Sequence, residues 1–200
     1  MSSGKPLPAA ALAVLAFWFG TPGSPEWDVA RREWFAKSDD FDARIREQFL
    51  PVWQAAHDGA EDDWSVTPEG ACARIVLLDQ FPRNMFRGDA RSFATDAGAL
   101  AVARRMLANG WDRQLPTAWH RVFCYLPFEH AESLADQDIS VRETTALRQD
   151  TAGRVDVVEW AIKHHEIIAR FGRFPHRNAV LGRDSSADEL AFLKQPGSRF

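Results

Sequence analysis

Two cysteines, Cys72 and Cys124, are all the chain has in its 200 residues, and they lie far apart, each inside an apolar stretch. Neither zinc-ligand spacing nor a disulfide framework can be built from them, so a reducing, cytoplasmic compartment is expected. Lysine is nearly as scarce, with four against 20 arginines, and acids outnumber bases to leave a formal charge of −4. A general nucleic-acid binder needs a basic face, so that class is set aside. No apolar run reaches the roughly 18 residues of a membrane span. The one at Pro6 to Gly20 looks superficially like a signal-peptide core. Thr21-Pro22-Gly23 offers no small-residue cleavage site, however, and Phe17-Trp18-Phe19 suits a buried first helix. No segment alternates apolar and polar residues long enough for a strand. What remains is a chain with 46% hydrophobic residues and 23 aromatics, enough for a sizeable core.

Helical periodicity and punctuation recur throughout, which predicts an all-α fold of about eight or nine helices in antiparallel pairs, an array or bundle. Ser24-Pro25-Glu26 reads as the start of a helix through about Phe35. Ser38-Asp39-Asp40 opens the next, with Phe41, Ile45, Phe49, Val52, Trp53 and Ala56 on one stripe, a kink at Pro51 and a stop at Gly59. Thr67-Pro68-Glu69 caps a segment expected to end near Pro82. Helices follow from Thr95 or Asp96 to Asn109, from Pro116 until Pro127 breaks it, from Ile139 to Arg148, and from Val155 to Phe171. Asp150-Thr151-Ala152-Gly153 is the expected break in packing, and Ser186-Ala187-Asp188-Glu189 a capping box for the last helix. Residues 1–7 read as a loose tail and 8–200 as one helical domain. Trp18, Trp34, Trp53 and Trp160 read as core.

Two segments depart from this pattern in the same way. Phe81-Pro82-Arg83-Asn84-Met85-Phe86-Arg87-Gly88 and Phe174-Pro175-His176-Arg177-Asn178 through Gly182-Arg183 both read Phe-Pro, Arg-Asn, then Gly. Each is expected to place an Arg-Asn pair at a helix exit. The arginine fork binds carboxylate or phosphate bidentately, so facing segments would give an anion pocket from Arg83, Arg87, Arg173, Arg177 and Arg183, with Asn84 and Asn178 orienting the ligand. The plainer reading has these arginines capping helix carbonyls and pairing with Asp79, Asp89 and Asp184. Glu129-His130 and His164-His165-Glu166 add acid–base groups. Glu-x-x-His pairs and His-Glu-x-x-His are absent, as are a nucleophile elbow and phosphate-cradling glycine loops. No metal and no cofactor are therefore expected.

These motifs, with Phe17-Trp18-Phe19-Gly20, Leu77-Leu78-Asp79-Gln80, Phe93-Ala94-Thr95-Asp96, Leu126-Pro127-Phe128-Glu129-His130 and Arg170-Phe171-Gly172-Arg173, resemble the bacterial family called domain of unknown function 924. The resemblance runs from about Leu12 to the terminal Pro196-Gly197-Ser198-Arg199-Phe200. It implies a free-standing cytosolic protein with a fold similar to tetratricopeptide repeats, and supplies no function. The family's pattern falls on Asp79, Gln80, Arg83, Asn84, Arg87, Glu129, His130, Asp136, Gln137, His164, Arg173, His176, Arg177, Asn178 and Arg183.

Three functions fit these residues. In the first, Arg83, Asn84, Arg87, Arg173, His176, Arg177, Asn178, Arg183 and Gln80 line a site for a small anionic molecule. His164 or His130 then acts as acid or base, oriented by Glu129 or Asp79. In the second, a tetratricopeptide-like interaction module grips a peptide or a carboxylate terminus. In the third, the motifs are staples between helices and loops.

Overall fold

The computed structural model describes residues 6–60 and 62–198, and all nine α-helices lie among them with no strand. They are α1 (Ala9–Phe19), α2 (Asp39–His57), α3 (Pro68–Ile75), α4 (Phe81–Met85), α5 (Asp96–Ala108), α6 (Ala118–Glu129), α7 (Leu134–Asp150), α8 (Val158–Phe171) and α9 (Ala187–Phe192). A π-helical turn, Val76–Gln80, joins α3 to α4 without interruption, so nine α segments make eight rods. The all-α expectation holds. Of the expected tail, residues 1–5 lie outside the described residues, as do Arg199 and Phe200 at the other end, while Leu7 is half-buried against Gly70.

Consecutive helices pack side by side from α5 through α8, while α1 lies on α3 and α2 on α4. The core is aromatic: Trp18, Phe41, Phe49, Trp53, Phe81, Phe123 and Phe128 are all buried. Ile167, Ile168 and Phe174 form a small satellite core under the C-terminal loops. Among the described residues no helix is long and apolar enough to cross a membrane.

Several boundaries follow the caps read in the sequence. Ser38 and Thr67 each accept a backbone N–H from the first turn of their helix. Gly172 ends α8 in the left-handed conformation, at φ 70°, which glycine adopts without strain. Ser186 and Glu189 complete a capping box.

Several expectations are corrected. Residues 24–35 make no α-helix, only turns and a 3-10 turn, Arg32–Trp34. Arg31 donates to the carbonyls of Phe17 (2.7 Å) and Trp18 (2.9 Å), and Trp34 Nε1 donates to Trp18 (3.1 Å). Capping α1 in this way fixes the segment irregularly. Pro127 sits within the last turn of α6, which ends two residues later. α7 starts earlier than expected because Ser133 caps it, and α8 later, at Val158. No break in packing follows Asp150, since α7 and α8 are close neighbours. Trp160 is 53% exposed, with Lys163 over its ring, and does not join the core.

The remaining correction builds the site. Pro82 was expected to end its helix, yet α4 continues through it. Proline has no N–H for the carbonyl four residues back and its ring crowds that carbonyl, while a π turn inserts one residue and opens the ladder there. The freed Leu78 carbonyl accepts instead from the Thr95 hydroxyl (2.5 Å), itself an acceptor for Trp53 Nε1 (3.2 Å). Arg83 Nη1 donates to the Asp79 carbonyl (2.6 Å). The inserted turn therefore locks α5 onto α4 and holds Asp79 and Arg83 in fixed relation.

Candidate functional site

Asp79, fully buried in the π turn, faces His130 at the C-terminal end of α6. His130 Nδ1 lies 2.8 Å from Asp79 Oδ1 and 3.0 Å from Oδ2, and Gln80 Nε2 donates to Oδ2 (2.5 Å). Burial alone would raise the Asp79 pKa, but the positive charge of Arg83 and the His130 contact outweigh it and hold the carboxyl well below its usual range. Facing an ionised carboxylate, Nδ1 of a neutral His130 carries the proton, which leaves the Nε2 lone pair as a base. Burial and the Arg83 charge depress the His130 pKa against the pull of Asp79, so the ring is neutral near pH 7.

Beside this pair lies Glu129, buried, with Oε1 3.2 Å from His164 Nδ1. The same nitrogen is 2.8 Å from the Trp160 carbonyl, and the stripe that carries His164 points it into the site, 6.2 Å from the His130 ring. Burial pushes the Glu129 pKa up to about 8, and the charge of Asp79 adds to it. Burial lowers His164 to about 3 and His176 to about 4, with His130 and Arg177 respectively the next largest influence. At neutral pH the cluster thus holds a carboxylic acid, Glu129, and a neutral imidazole base within two consecutive residues.

The two Phe-Pro-Arg-Asn segments meet here, through one arginine from each. Arg83 grips Asp96 bidentately, at 2.8 and 2.9 Å, and Arg177 Nη1 reaches the same carboxylate at 3.4 Å. Arg177 is buried between Phe93 and Phe174, its guanidinium carbon 4.6 Å from each ring centroid. His176, half-buried, has its ring 5.7 Å from that of Phe174.

The other three arginines go elsewhere. Arg87 bonds Asp42 (2.5 and 3.0 Å), the residue that Asn84 also contacts (2.7 Å), which ties α4 to α2. Arg173 grips Glu189 of α9 (2.7 and 2.8 Å). Arg183 grips Glu132 (2.6 and 2.9 Å) and contacts Asn178 (3.0 Å), whose amide reaches Ser185 (3.0 Å). Of the acids expected to pair with the arginines, Asp79 does. Asp89 pairs with Arg91 instead, and Asp184 offers only its carbonyl, to Arg173. A five-arginine pocket does not form, because three arginines are held by acids that hold the loops in place.

Sequence reasoning missed Asp96 and Phe93 as members of the site. Asp96 reads as an ordinary first-turn acid, and its only signal was its place in the Phe93-Ala94-Thr95-Asp96 motif. Among the described residues no group of three or more His, Cys, Asp or Glu is arranged to hold a metal ion.

Residues 14–197 match the family described as "Bacterial protein of unknown function (DUF924)". The chain is also similar to a solved structure, that of a protein of unknown function from Agrobacterium tumefaciens. Identity is 36%, the match covers 93% of this chain and 97% of that one, and the TM-score is 0.78. Comparison with curated proteins gives no match. With the family matched across 14–197, nearly the full length, this chain belongs to the bacterial family DUF924.

Proposed function

We propose that the cluster is the acid–base centre of a cytoplasmic enzyme that moves a proton on a small carboxylate or phosphate. The observation that carries this reading is the Asp79–His130 contact at 2.8 Å, buried beside Glu129 and the Arg83–Arg177 pair. Arg83 and Arg177 hold the anionic group. His130 Nε2 takes the proton from the substrate, and the resulting imidazolium is stabilised by Asp79. The neutral Glu129 carboxyl supplies a proton to the atom that gains negative charge. Groups whose environments drive their pKa values apart, as Asp79 and Glu129 do, are the usual mark of an acid–base site.

The test is a thermal-shift screen of small carboxylates and phosphates on the wild type, Arg83→Met, Arg177→Met and His130→Gln. A ligand that binds only the folded state raises the melting temperature. Stabilisation of the wild type that both methionine variants lose, and that His130→Gln keeps while turnover is abolished, supports the reading. Stabilisation that survives in both methionine variants contradicts it.

The second reading, an interaction module for a peptide or carboxylate terminus, is favoured by a different feature. An open groove of about 490 Å³ runs between α7 and α8, away from the arginine pair, lined by residues including Val141, Thr145 and Ile162. His165 and Asp138 meet at its edge, 2.9 Å apart. Peptide binding that depends on these residues and weakens strongly with salt would favour this module.

A further inference from the structure

Asp96 occupies the position that an incoming anion would take. Both of its oxygens are committed to Arg83, at 2.8 and 2.9 Å, and the second is only at the margin of reach, 3.4 Å, from Arg177 Nη1. The two arginines are unequally served. Arg83 has Asp96, the Asp79 carbonyl at 2.6 Å and the Asp79 carboxylate at 3.3 Å. Arg177, with its side chain only 8% exposed, has that single long bond, two phenyl faces, and an Nε with no hydrogen-bond partner. A guanidinium carries five donors, and burying one with most of them unanswered is unfavourable unless an acceptor arrives. Burial lowers the Arg177 pKa to about 10, with the charge of Arg83 adding to it, as expected of a cation short of counter-charge.

We infer that Asp96 is a resident stand-in for the carboxylate of a small-molecule ligand, which takes the Arg177 fork and turns Asp96 out toward solvent. This rests on the anion-binding reading above and goes further, in naming the group recognised and the side chain that competes with it. The charges explain the exchange. Two guanidiniums are matched by Asp79 and Asp96 while Glu129 is neutral, so a further carboxylate leaves one negative charge in excess. Asp96 is the acid able to leave, since its side chain is 21% exposed against none of Asp79. In the first turn of α5 it remains favoured by the helix dipole after release. A carboxylate suits the position better than a phosphate dianion. The protein itself fills the position with a planar, singly charged pair of oxygens, and a dianion would bring twice the charge to the same two cations.

The experiment uses the full chain with acetate as the probe, at constant ionic strength. Calorimetric titration and melting curves are recorded for the wild type, Asp96→Asn and Arg177→Met. Removing the competing carboxylate should tighten acetate binding roughly tenfold, an ordinary size for coupling between sites. Acetate should also raise the melting temperature of Asp96→Asn more than that of the wild type, and Arg177→Met should abolish binding. Wild-type binding that a folded Asp96→Asn leaves unchanged or weakens overturns the role of Asp96 and spares the anion-binding reading. Absence of acetate and phosphate binding in both overturns the two together. Tightening for inorganic phosphate and not for acetate overturns the carboxylate class. Should Asp96→Asn fail to fold, wild-type crystals grown in acetate decide the matter. Acetate on Arg177 with Asp96 turned away supports the inference, and acetate on Arg177 with Asp96 unmoved overturns it.

Discussion

Keeping an uncharged acid in a protein core destabilises the fold in a pH-dependent way, and Glu129→Gln isolates that effect. In the folded protein the Glu129 pKa is about 8 against an ordinary 4.5, burial being the main cause. Below pH 4.5 the carboxyl is protonated whether the chain is folded or not, and glutamate and glutamine are nearly equivalent. As pH rises above 4.5 the unfolded chain releases the proton and the folded chain does not, so stability falls by about 1.4 kcal/mol per pH unit until the folded group also ionises. The contribution present at low pH is therefore lost between about pH 4.5 and 8. The loss from this one residue is about 3 kcal/mol at pH 7 and approaches about 5 kcal/mol above pH 8. Glutamine cannot ionise, and every other titrating group is shared by the two proteins. Urea unfolding at pH 4.5, 6, 7 and 8 should therefore show Glu129→Gln matching the wild type at the acid end and gaining steadily to about 3 kcal/mol at pH 7. A constant difference across the series would refute a buried neutral acid. The same variant should lose turnover on any substrate found, because a site that spends stability to hold a functional group becomes more stable without it.

Two further substitutions test the framework. Thr95→Val removes the hydroxyl that serves both the Leu78 carbonyl and Trp53 Nε1. Urea unfolding should show a loss of about 2 to 4 kcal/mol, from two buried groups left without partners; a loss below about 0.5 kcal/mol would mean that the proline-freed carbonyl needs no such partner. Arg87→Met breaks the pair with Asp42, whose arginine side is 40% exposed, and should cost only about 1 kcal/mol in melting experiments while leaving acetate binding intact. Loss of acetate binding there would return Arg87 to the anion site.

Residues whose effect is local were legible in the sequence. Ser38, Thr67, Gly172 and the Ser186–Glu189 box act within one turn, and the structure has them where their spacing puts them. Pro82 was misread because a proline's local rule can be overridden by a distant hydroxyl, here Thr95, and by a π turn that leaves no mark in apolar periodicity. Residues 24–35 failed for the same reason, since Arg31 and Trp34 cap a helix more than ten residues away. In the site, the doubled Phe-Pro-Arg-Asn motif did signal two segments that meet. The motif alone gave no way to tell which arginines meet and which serve as staples. That depends on Asp96, Asp42, Glu189 and Glu132, acids that look like ordinary surface charges until the chain is folded.

The central claim is that His130 is a neutral base held by Asp79, and nitrogen-15 NMR of the histidine rings tests it most directly. The account predicts that His130 at pH 7 is the neutral tautomer with the proton on Nδ1 and that its pKa lies below 6.5. A His130 that is already imidazolium at pH 7, or that carries its proton on Nε2, would contradict it.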